Sequence, residues 1–148
     1  SGPRAFTMPG MRGETRVKSS ACRVEDPPTG RHLEARVEEM GEDLVVAVGG
    51  GGRPHVGSVV LAQPGPSRSP GRTWSASCSV LTIPPHKEEP LARGIATRLT
   101  EALGRVTVVT AGVHDDNLDA DGVACYLRLG EELGEELARR LAKKGDTT

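Results

Sequence analysis

Aromatic side chains are nearly missing from this chain: Phe6, Trp74 and Tyr126 make up 2% of 148 residues. The core must therefore be aliphatic, and the stacking platforms on which single-stranded nucleic acids rest are absent. Net charge is almost absent as well, at −1, which argues against a polyanionic partner for the whole molecule. Cys22, Cys78 and Cys125 are odd in number and share no metal-ligand spacing. They read as small apolar residues of a reducing compartment. No run approaches the ~18 consecutive apolar residues of a membrane span, and no apolar signal core stands at the start. The expectation is a cytoplasmic protein with neither a membrane nor a nucleic acid as partner.

Charge is unevenly spread. Residues 1–31 carry six Lys/Arg and three acids, a net of +3, which leaves −4 for the remainder. Residues 1–30 are rich in Pro, Gly, Arg and Ser without a sustained apolar period, so they read as a flexible basic leader. A single domain is expected over 31–142, with a short tail at 143–148.

Within that domain the apolar period changes along the chain. Leu33, Ala35 and Val37 alternate with charged residues, as in a half-exposed edge strand. Leu44–Val48 is a continuous apolar run, as for a strand covered on both faces. A third strand is expected from His55 to Gln63. A fourth runs from Thr73 to Ile83, with Trp74, Ala76, Cys78 and Val80 on one face and Thr73, Ser75, Ser77 and Ser79 on the other. That hydroxyl row suits close helix packing, a pocket wall or plain solvent.

Pro90 fits the first turn of a helix, and Leu91, Ile95, Leu99 and Leu103 repeat along one face until Gly104 ends it. Val106–Val113 is a further buried strand. Asp119 is placed to cap a second helix whose stripe is Val123, Tyr126, Leu127, Leu133, Leu137 and Leu141. The fold class expected is α+β, with a mostly antiparallel five-stranded sheet and the order β-β-β-β-α-β-α.

The stretch around which the rest is arranged is Gly49-Gly50-Gly51-Gly52-Arg53-Pro54-His55-Val56-Gly57. Four glycines leave the backbone bare and reach φ > 0 without strain; they also suit an ordinary hairpin turn. If the second and third strands pair as a hairpin, this loop marks one rim of the sheet. An antiparallel fourth strand returns Pro84-Pro85-His86-Lys87-Glu88-Glu89 to that rim. A right-handed crossover then brings Gly112-Val113-His114-Asp115-Asp116-Asn117 there too. His55, His86 and His114 would converge beside Arg53, Lys87 and two helix starts.

Such a set suits phosphate or another anion. A metal held by His55, His86, His114 and Asp115 or Asp116 is the competing use, and would make a metal-dependent hydrolase or lyase. Singly, each histidine also reads as a loop or packing residue. The run Asn117–Asp119–Asp121–Gly122 opens like a calcium loop but has Arg128 where the twelfth position requires Glu. No Gly-Lys-Ser/Thr follows the glycines, so they are not a P-loop. No nucleophile is paired with a base by spacing.

Four segments carry a resemblance: Gly51-Gly52-Arg53-Pro54-His55-Val56-Gly57, Leu61-Ala62-Gln63-Pro64, Ser79–Glu88 and Val109–Asn117. Together they resemble the small D-subunit family that accompanies UbiD-type reversible decarboxylases, such as the gallate decarboxylase system. The likeness spans about residues 31–141. It implies a prenylated-flavin chaperone with a proteasome assembly chaperone-like fold. Such a protein is a homodimer that binds reduced prenylated FMN and helps load it into the apo-decarboxylase, without catalysis of its own. A cofactor-free assembly factor of a decarboxylase is the further alternative. Laid on the rim, the cofactor would meet Gly51, Gly52, Arg53, His55, His86, Lys87, His114, Asp115 and Asn117, with Arg53 and Lys87 on its phosphate.

Overall fold

The computed structural model describes residues 6–7, 16–84, 87–116 and 118–145. The elements are β1 (Phe6–Thr7), β2 (Arg16–Glu25), β3 (His32–Met40), β4 (Asp43–Gly51), β5 (Ser58–Pro66), β6 (Trp74–Thr82), α1 (Glu89–Leu103), β7 (Thr107–His114) and α2 (Ala120–Gly145). The strands form one sheet in the order β1-β2-β3-β4-β7-β5-β6. All neighbours are antiparallel except β4 and β7, which are parallel. This is an α+β fold with an open mixed sheet of six strands of eight to ten residues and the two-residue β1.

The expected arrangement is corrected at several points. Five strands become six of full length because residues 16–25, read as part of a flexible leader, form β2 and pair with β3 along their length. This strand has no apolar period because much of its hold is polar. Ser19 hydrogen-bonds Glu38, and Arg23 meets Glu34 at 3.0 Å, both across the β2–β3 pair. Further, β4 and β5 do not form a hairpin: β7 lies between them. β7 and β4 are the two continuous aliphatic strands, and the interior of a sheet is where such strands bury the most surface. At the far end, α2 continues to Gly145, into what was expected to be a tail.

Both helices pack on one face of the sheet, α1 on β5, β6 and β7, and α2 on β2 and β3. Alternation sends Leu33, Ala35, Val37, Leu44, Val46, Val48, Val60, Ala62, Val109 and Ala111 toward them, all buried. Leu91, Ile95 and Leu99 of α1 and Leu129, Leu133, Leu137 and Leu141 of α2 meet this layer. Pro90 lies in the first turn of α1, and Gly104 ends the helix at φ +66°, its N–H donating to the Thr100 carbonyl at 2.9 Å. Asp119 caps α2 as expected, its Oδ1 accepting the Gly122 N–H at 2.8 Å. The stripe of α2 is phased differently in its first half. Cys125, Tyr126 and Leu129 face the core, whereas Val123 and Leu127 are 46% and 40% exposed. On β6, Ser77 and Ser79 face solvent.

Candidate functional site

The strand directions bring one set of strand ends to a single rim. β4 and β7 finish side by side, with Gly51 opposite His114. β5 starts there and β6 finishes there, since Ser58 lies opposite both Ala111 and Thr82. α1 and α2 then set out from the same rim. The glycine loop, the end of β6 and the end of β7 therefore do meet, by a route in which β7 separates β4 from β5.

The glycines have a packing role. After Gly51 the chain folds back over the sheet face away from the helices, and Pro54 and His55 lie on Gly49 and Gly112, which are paired across β4 and β7. A Cβ on Gly49 would stand 2.6 Å from Pro54 Cβ, and one on Gly112 would overlap the His55 carbonyl. Gly51 takes φ +70°, a conformation glycine adopts without penalty. The N–H groups of Gly52 and Gly57 donate to the carbonyls of His114 and Ala111, each at 2.9 Å. Gly52 is unencumbered: nothing lies within 4 Å of where its Cβ would be.

This seating fixes His55. Its Nδ1 lies 3.0 Å from the Arg53 carbonyl and its Nε2 lies 3.1 Å from Glu88 Oε1. The two contacts tether the ring at both nitrogens, to the loop's own backbone and to the residue that precedes α1. Glu88 Oε1 also accepts the Val113 N–H at 3.4 Å. One carboxylate thus joins the loop, the end of β7 and the start of α1. His114 Nε2 meets Asp116 Oδ1 at 2.8 Å.

Asp115 points the other way. Its Oδ2 takes the Arg31 Nε–H at 3.2 Å and the Tyr126 hydroxyl at 3.1 Å. Burial, then the hydrogen bond and charge of Asp115, push the Tyr126 phenol up to about 12. The hydrogen bond that Arg31 donates to Asp115 raises the Arg31 guanidinium too. Composition and spacing offered no sign of this Arg31–Asp115–Tyr126 cluster, because its members come from before β3, after β7 and within α2.

Arg53 and Lys87 are exposed, and among the described residues neither side chain makes an ion pair or hydrogen bond. The helix starts are less cationic than expected. Asp119 already occupies the start of α2, and Glu88 and Glu89 flank that of α1. Val56, Leu81 and Ile83 bring exposed aliphatic surface to the rim, 50%, 74% and 52% accessible. Ile83 is tied to the loop by its N–H, which donates to the Gly57 carbonyl at 2.9 Å.

Of the sequence candidates, Gly51, Gly52, Arg53, His55, Lys87, His114 and Asp115 all stand on this rim. His86 and Asn117 lie outside the described residues. Among the described residues no group of three or more His, Cys, Asp or Glu side chains is placed to hold one metal ion. A separate groove of about 680 Å³ runs between α1 and α2, past Leu91, Gly94, Arg98, Leu127 and Gly130, and none of the rim candidates lines it.

The fold defines the class first. The structure is similar to one of a chaperone complex for yeast 20S proteasome assembly, with a TM-score of 0.53 and 16% identity over 84% of this chain and 96% of that one. At that identity the likeness is one of fold. Residues 28–142 match the prenylated flavin chaperone LpdD-like domain, and the chain belongs to that family. Comparison with curated proteins gives no match.

Proposed function

We propose that this protein holds reduced prenylated FMN on the rim described above and delivers it to an apo UbiD-type decarboxylase. It does so as a cytoplasmic homodimer without catalysis of its own. The observation that carries this reading is the pair of unengaged cations, Arg53 and Lys87, exposed at the meeting of three strand ends in a chain of the prenylated flavin chaperone family.

The residues present fit such a ligand. A phosphate needs cationic donors that are not already neutralised, and Arg53 and Lys87 qualify. A flavin carrying an added prenyl-derived ring needs apolar surface nearby, and Val56, Leu81 and Ile83 supply it. His55, held between Arg53 and Glu88, fixes the shape of the loop that presents Arg53. When bound, the cofactor itself supplies the redox and adduct-forming chemistry used later by the decarboxylase. This chain's residues bind it and orient it.

Anaerobic titration with reduced prenylated FMN is the test. Saturable binding is expected, weakened about tenfold or more by Arg53→Ala and by Lys87→Ala, as for loss of one charge-assisted contact. Absence of binding to the wild-type protein under strictly anaerobic conditions rejects the reading.

A further inference from the structure

β6 is the last strand of the sheet, and among the described residues nothing pairs with its far side. The inner ladder shows which groups that leaves open. The Ile83 N–H donates to Gly57, and the Thr73 carbonyl accepts from Ser67, so odd-numbered residues face β5. The N–H and C=O groups of Ala76, Cys78 and Val80 therefore point outward, away from the sheet.

Exposed strand edges invite pairing with other chains. Folded proteins guard them with charge, proline, bulges or short length. The opposite edge follows this rule: β2 carries Lys18, Arg23 and Glu25, and β1 covers only its end. β6 does not. It is nine residues long, Trp-Ser-Ala-Ser-Cys-Ser-Val-Leu-Thr, without a charge or a proline. It pairs with β5 in unbroken register from Ser58↔Thr82 to Pro66↔Trp74. Leu81 at its rim end is the most exposed of the large hydrophobic residues among those described, at 74%.

We infer that the β6 edge is the seam between two copies of this chain, paired antiparallel across a two-fold axis into one continuous sheet. This rests on the two-copy reading above and adds where the copies meet. A second copy is the occupant that the strand favours. An antiparallel strand brought onto itself is complementary to itself in backbone hydrogen bonding. A charge-free strand meets no like charge across the axis. The Ser77 and Ser79 hydroxyls, exposed on the open sheet face, then lie beside their symmetry mates. The chain's own N-terminal strand, β1, is already placed at the opposite edge.

The test uses the full chain in two measurements. Sedimentation velocity over a concentration series is run on the wild type, on Ala76→Pro and on Leu61→Arg. Proline at position 76 removes an outward N–H but no bond to β5, so an edge strand tolerates it. Leu61→Arg puts charge on the open sheet face instead. Amide exchange is followed by NMR at Ala76, Cys78 and Val80.

The expected result is a wild-type dimer whose dissociation constant rises about tenfold to a hundredfold in Ala76→Pro, as two symmetry-related ladder bonds are lost, and stays unchanged in Leu61→Arg. The three amides exchange slowly in the dimer and quickly on dilution. If Ala76→Pro does not fold, the wild-type exchange pattern decides alone. A dimer broken by Leu61→Arg and kept in Ala76→Pro overturns the seam while leaving the two-copy reading intact. A monomer at all concentrations overturns both, and the anaerobic titration still reports separately on cofactor binding. A dimer kept in both variants overturns the seam as well.

Discussion

Replacing Gly112 by alanine isolates the packing that shapes the rim. A methyl group at this position would overlap the His55 carbonyl and approach His55 Cδ2 to 3.0 Å. The obstacle is backbone on both sides, so no rotamer change relieves it. Residues 54–56 must lift away from the sheet. Overpacking of this kind costs about 1–3 kcal/mol. Lifting also strains the hydrogen bonds from Gly52 and Gly57 to His114 and Ala111, each worth roughly 0.5–1.5 kcal/mol net.

A total loss of about 2–4 kcal/mol is expected, which in a domain of this size lowers Tm by roughly 4–16 °C. Gly52→Ala is the matched control from the same glycine run. Nothing lies within 4 Å of the added carbon there, and the change should stay within about 0.5 kcal/mol. Urea denaturation of the two variants beside the wild type measures the difference, and anaerobic titration with reduced prenylated FMN measures what the displaced loop does to binding. Equal midpoints for Gly112→Ala and the wild type would refute the account of a loop seated on paired glycines.

Tyr126 is the only tyrosine, so absorbance of tyrosinate reports on it alone. Its folded phenol should ionise near about 12, against about 10 in denaturant. Because the folded value lies above the unfolded one, the stabilisation is complete below pH about 10 and disappears as pH rises toward about 12. Asp115→Asn should move the folded titration down toward 10; an unmoved titration would remove Asp115 as a cause. Leu133→Ala, at a fully buried site, should cost about 2–5 kcal/mol, whereas Leu127→Ala, 40% exposed, should cost clearly less; equal losses in urea melts would contradict the phase of α2 described above. Arg53→Lys should restore part of the binding that Arg53→Ala loses, since charge survives while the two-pronged guanidinium does not; no restoration would point to a bidentate contact rather than to charge alone.

Much of the fold was legible because local signals were strong. The caps Asp119 and Gly104, the aliphatic runs of β4 and β7, and the fourfold spacing of Leu91, Ile95 and Leu99 each act within a few residues. β2 was missed because its pairing is polar: Ser19 and Arg23 find Glu38 and Glu34 on β3, and alternation of apolar residues never shows such an arrangement. The first turns of α2 were misphased because Val123 and Leu127 remain exposed, so apolar character there did not mark the buried side. The rim was found through a mistaken neighbour relation. Strand direction alone decides which ends share a rim, and inserting β7 between β4 and β5 leaves every direction unchanged.

Sequence by itself determined the elements from β3 to α2, the caps of the helices and the rim residues Arg53, His55, Lys87, His114 and Asp115, since each of these follows from local chemistry and strand direction. Tertiary structure alone decided the roles of the glycines and the acids. Gly49 and Gly112 face a loop that is remote in sequence from Gly112, Glu88 reaches back to His55, and Asp115 turns to Arg31 and Tyr126. These are contacts between segments tens of residues apart. A side chain's partner depends on which strand lies beside it, and that is settled by burying the most aliphatic strand at the centre of the sheet, a competition among all the strands at once.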